Sequence, residues 1–142
     1  MALVTALMAM LMMLALGAGV AMTTLTESTI AANHRDGLQA LYAAEAGIDL
    51  AVSRLRSIAD WQTVVKGAPV TLLDGRLADL LQGGTVDSRV VVTVTVSPDP
   101  NGHEGILALQ SSAIVSGGIR RTVQMSIRRR PATGEIEILS WR

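Results

Sequence analysis

Two histidines, His34 and His103, and the oxygen donors Asp99, Asn101 and Glu104 in the run DPNGHEG are the side chains that could move a proton or hold a cation. Neither histidine has the supporting residues of a triad or a metal site: His34 falls in a polar helical stretch and His103 in a turn, where both meet solvent. The oxygen cluster lacks the spacing of an EF-hand loop, and turn formation accounts for it without calcium. No Walker A, GxSxG or HExxH pattern occurs. The absence of cysteine excludes disulfides, haem attachment through CxxCH, iron–sulfur clusters and thiolate zinc. No catalytic residue, metal or cofactor is therefore expected, and the chain reads as a non-enzyme. The basic run at residues 128–130 follows a strand end and is read as a solvated edge that resists aggregation. With 12 basic and 12 acidic residues and 2% aromatics, no nucleic-acid partner is expected.

Glu45 carries the one charge in an apolar setting. At 100° per residue it falls between Leu38, Leu41 and Val52, on a helical stripe with Ala44, Ile48, Ala51 and Leu55. Its carboxylate either reaches past the stripe edge to water or an arginine, or pairs with a cation across a subunit contact. Both readings stay open.

The elements that hold these residues begin with residues 1–22, MALVTALMAMLMMLALGAGVAM, which contain no charge. As a helix rising about 1.5 Å per residue this run crosses a hydrocarbon core of roughly 30 Å. A water-soluble helix would keep a polar face, and this one has none. No Lys or Arg precedes the run and no polar break follows it, which argues against a cleavable secretory signal. The expectation is that a basic leader has been removed and that Met1 is the mature N-terminus. No proline occurs before Pro69, so one helix can continue to residue 58, about 80 Å in all. Such a rod exceeds a small globular domain, so its first half is expected to protrude. Gly17 and Gly19 weaken it by about 1 kcal/mol each relative to Ala, either for close helix packing or as a segment that melts on leaving the bilayer.

After residue 58 the signals mix: a loop with a short strand near residues 70–73 and a helical turn near 77–81. From residue 88 the apolar period becomes two. Residues 89–96 (RVVVTVTV), 106–115, 119–129 and 135–141 read as strands joined by short turns, an antiparallel meander of about four strands with one apolar face. That face needs a cover, which the second half of the helix supplies. Trp61 and Trp141 are placed at the two ends of the interface. The fold class is α+β, divided into an apolar half-helix (1–26), an amphipathic half-helix (27–58), a connector (59–87) and a sheet (88–142), with 27–142 as one globular head.

This layout resembles type IV pilins and the pseudopilins of type II secretion. The first 55 or so residues resemble more closely the PilX-like minor pilins, through the apolar run, the Thr/Glu segment after it, Asn33 with Arg35 and Asp36, and the AAEA motif at Ala43, Ala44, Glu45 and Ala46. The resemblance implies a leader cut by a prepilin peptidase and methylation at Met1. It further implies subunits that wait in the inner membrane as single-pass proteins and are drawn by an assembly platform into an extracellular filament. Leu3, Thr5, Leu7, Leu11 and Leu14 would then lie in the filament core, the helix would loosen near Gly17 and Gly19, and the partners would be other pilin subunits.

Most major pilins carry a glutamate where this chain has Thr5, to neutralise a neighbour's N-terminal amine. Its absence tilts the expectation towards a minor, priming or tip-proximal subunit. The function expected is thus a filament subunit, with a pseudopilin of a secretion machine or a membrane-anchored periplasmic binding domain as alternatives. The three rings, Tyr42, Trp61 and Trp141, are too few to conduct electrons along a filament.

Overall fold

The computed structural model describes residues 1–58, 60–61, 68–81, 89–99, 103, 105–130 and 133–142. Helix α1 (Ala2–Arg56) is followed by β1 (Val70–Arg76), a single turn of helix α2 (Leu77–Leu80), β2 (Val91–Pro98), β3 (Ile106–Ile114), β4 (Arg120–Arg129) and β5 (Ile136–Trp141). The strands form one antiparallel sheet in the order β1-β2-β3-β4-β5. The α+β layout of a long apolar helix and an antiparallel sheet is as expected. The sheet has five strands rather than about four, because the short strand anticipated near residues 70–73 extends to Arg76 and pairs with β2. A bulge between Thr71 and Leu73 breaks the alternation there and masks the full length of the strand in the sequence.

The chain divides into two compact units, Met1–Arg35 and Asp36–Arg142. The first is helical from Ala2 onward, and its side chains are exposed on every side. By length and composition its helix can cross a membrane.

In the second unit the helix covers the apolar sheet face. Val92, Val94 and Val96 of β2, Leu107, Leu109 and Ala113 of β3, and Val123, Met125 and Ile127 of β4 point to it and are buried. The other face carries Thr93, Thr95, Gln110, Ser112, Thr122 and Gln124, with Thr93 bonding Asp74 across β1 and β2. The helix meets the apolar face through Gly37, Ala40, Ala44, Gly47, Ile48, Ala51 and Leu55. That corrects the expected stripe: Leu38 is exposed, and Leu41 and Val52 are only half-buried. The contact line is built from small residues, which carry little hydrophobic signal in a sequence. A β-carbon at Gly47 would lie 2.6 Å from both Ser111 Oγ and Val92 Cγ1, so glycine lets the backbone approach the strands.

The helix stops at Arg56, two residues before the expected end. Its last carbonyls are taken up: Trp61 Nε1 donates to Leu55 O at 3.1 Å and Ser57 Oγ to Arg54 O at 2.7 Å. Trp61 is buried at the helix end, as expected. Trp141 is not: it lies on the edge strand β5 at 45% exposure.

Candidate assembly surface

In the first unit, Leu3, Leu7, Leu11 and Leu14 are spaced by four, four and three residues, which aligns them along one helical face. All four are exposed. An apolar surface of this extent is stable only against lipid or other apolar helices. Thr5 adds no charge to it. The Thr5 hydroxyl donates to Ala2 O at 2.9 Å, and its lone pairs remain able to accept. Gly17 and Gly19 lie within the continuous helix, and a β-carbon at either would meet nothing within 4 Å.

Thr23, Thr24, Thr26 and Thr29 each donate a hydroxyl to the carbonyl four residues earlier, at Gly19, Val20, Met22 and Leu25, over 2.9–3.0 Å. Back-bonding of this kind hides a hydroxyl from an apolar environment and bends helices slightly. The signal available in sequence was the dense threonine run after an uncharged segment.

In the second unit, Asp36 and Gly37 of α1 lie against the sheet. Asp36 Oδ2 lies 3.4 Å from the β-carbon position of Gly117 in the β3–β4 turn, and the Arg121 guanidinium lies 3.4 Å from that of Gly37. Glu45 occupies the margin of the contact line, half-buried on the side of Leu41 and Val52. It has no ion pair among the described residues.

The arginines at 128–130 do not lie on a free strand edge, since β5 pairs with β4 there, although Arg128 and Arg130 are exposed to solvent as expected. Arg128 Nη2 bonds Glu137 Oε2 at 2.9 Å and Arg130 Nε reaches the same oxygen at 3.5 Å. The hydrogen bond from Arg128, followed by that from Arg130, holds the Glu137 carboxyl below the usual glutamate range. Arg129 points to the other face, where its Nη1 donates to Ile58 O at 2.7 Å and its guanidinium lies 5.9 Å from the Trp61 ring centre. The run joins β4 to β5 and to the helix end.

His34 is exposed on α1, and His103 Nδ1 lies 2.5 Å from Asp99 Oδ2. Asn101 and Glu104 lie outside the described residues. Among the described residues no group of three or more metal-ligating side chains converges. An open cleft of about 620 Å³ on the polar sheet face is lined by Ser97, Gln110, Gln124, Ser126 and Arg142 among others. None of these arrangements pairs a nucleophile with a base.

Residues 1–49 match the family model described as PilX N-terminal. The resemblance read from the apolar run and the AAEA motif thus holds over this region, and the five strands lie beyond it. No curated protein and no solved structure matches the chain.

Proposed function

We propose that the chain is a structural subunit of a type IV pilus-like extracellular filament, assembled by helical packing of the N-terminal apolar helices. The observation that carries this reading is the fully exposed, uncharged helical face of residues 1–22 within the segment that matches the PilX N-terminal model. In the membrane, lipid covers that face. In the filament, other subunits cover it, and Leu3, Leu7, Leu11 and Leu14 are its contact stripe. Before assembly the subunit is a single-pass inner-membrane protein, processed by a prepilin peptidase, methylated at Met1 and handled by the assembly platform. Gly17 and Gly19, with the threonines after them, are where the helix loosens on leaving the bilayer. Glu45 pairs with a cation of a neighbouring subunit, a reading supported by its half-burial without an ion pair among the described residues.

Thr5 favours a minor or priming role. A buried carboxylate is stable only with a partner, and a subunit without one offers no counter-charge to a neighbour's amine. The same feature supports the second reading, a pseudopilin that primes or drives a secretion machine. Deletion separates the two. Loss of surface filaments, with the chain itself scarce in them, is expected of a priming pilin; loss of protein export with filaments intact belongs to a pseudopilin. Neither defect, together with cross-linking that finds only membrane monomers, would overturn both and leave an anchored binding domain. Mass spectrometry of the native N-terminus is expected to find a methylated Met1.

A further inference from the structure

The two edges of the sheet differ. β1 follows Pro69, contains Asp74, and has its Leu72 carbonyl 3.4 Å from Arg54 Nη1, all of which discourage further pairing. β5, IEILSW, contains neither lysine nor proline, and Ile138 is 57% and Trp141 45% exposed. Its main chain bonds β4 through Glu135 O and through both groups of Arg142. Main-chain groups alternate in direction along a strand, so those of Ile136 and Trp141 point to the open side.

We infer that β5 pairs antiparallel with β5 of a second copy of this chain, about a two-fold axis between Ile138 and Leu139. In that register Ile136 faces the partner's Trp141, Glu137 the partner's Ser140, and Glu135 the partner's Arg142. It is self-consistent at three levels. Residues 136–141 map onto themselves, so the whole strand is used. The outward main-chain groups of Ile136 meet those of Trp141, as a hydrogen-bonded pair requires. Side chains also match by face: Ile138 and Trp141 sit opposite Ile127 and Met125 on the apolar side, while Glu137 and Ser140 sit opposite Arg128 and Ser126 on the polar side. The charges complement as well. Arg142 has no ion pair among the described residues, and Glu135 is held only at 3.8 Å by Arg130. Pairing would bring these two exposed charges together twice, once at each end of the strand pair. The apolar residues left open on the helix side of β5 would meet their copies across the axis. The bulge opposite Ile127 falls on the axis itself. This inference is independent of the filament reading, since it concerns only the strand edge.

The chain has no cysteine, so cross-linking can be read without background. Full-length Glu137→Cys and Ser140→Cys variants are purified in detergent, mixed and oxidised. The register places residue 137 directly opposite residue 140 of the other copy, within disulfide reach, whereas two copies of residue 137 are offset by three residues, about 10 Å, which is too far. The expected product is the mixed disulfide dimer, lost when Ile138→Lys is introduced in both chains. Equal yields of all dimers, or none, would overturn the register. Hydrogen exchange on the unaltered full chain supplies a second reading: the Trp141 amide is expected to become protected as concentration rises. Fast exchange at every concentration would overturn the pairing itself.

Discussion

The contact between Gly47 and Ser111 sets how closely the helix lies on the sheet. Ser111 Oγ is fully buried and has no hydrogen-bond partner among the described residues, a cost the chain bears at the point where helix and strand are closest. Gly47→Ala would push a methyl into Ser111 Oγ and Val92 Cγ1, and is expected to destabilise the second unit by about 1–3 kcal/mol. Ser111→Ala removes an unpaired hydroxyl while keeping its β-carbon, and is expected to be neutral or stabilising by about 1 kcal/mol. In the double variant the Gly47→Ala cost should shrink without vanishing, because Val92 remains. Urea unfolding of the four chains, followed by the fluorescence of buried Trp61, measures this coupling. Glu45 shows the limit of sequence at this scale: its place near the apolar stripe was legible, while its lack of an ion pair among the described residues needed coordinates.

Among the elements, the β4–β5 pair depends on charge. Because Glu137 is depressed by Arg128 and then Arg130, its contribution to stability is present above the ordinary glutamate value of about 4.3. That contribution is lost as pH falls through the lower folded value. An NMR titration is expected to place its midpoint below that of a free glutamate, and Arg128→Ala to move it back up. Both groups are solvent-facing, so high salt should reduce the difference. Strands β2 to β4 were legible because their alternation is strict, and β5 because Ile136 and Ile138 share a face ahead of its bulge. β1 was only partly so, because its bulge interrupts the pattern, and the helix stripe was placed off-centre because close packing selects small residues that carry little hydrophobic signal. The helix tests differently. Gly17→Ala and Gly19→Ala meet no neighbour and should stiffen the segment by up to about 1 kcal/mol each. If loosening is part of leaving the bilayer, the double variant reaches the membrane at normal levels while filament incorporation falls, as quantitative blotting of the two fractions would show. Equal incorporation would remove that role from the two glycines.

At the scale of the whole molecule, an uncharged helical segment, residues 1–22, that is exposed on every side must be covered by something else. Lipid alone explains an anchor. Lipid followed by neighbouring subunits explains an anchor joined to a small sheet-bearing unit with no catalytic arrangement among its described residues, and the PilX N-terminal match falls on the segment that would make the exchange. The apolar run and the layout could be read from sequence directly. Which strand edge stays open could not, since it depends on the strand order and on contacts such as that of Arg54 with the β1 edge. The most direct test is electron cryo-microscopy of filaments sheared from the cell surface, with mass spectrometry of the same fraction. The expected result is this chain in the filament, with residues 1–22 buried among neighbouring helices. Its absence from every filament, with all copies retained in the membrane, would contradict the account.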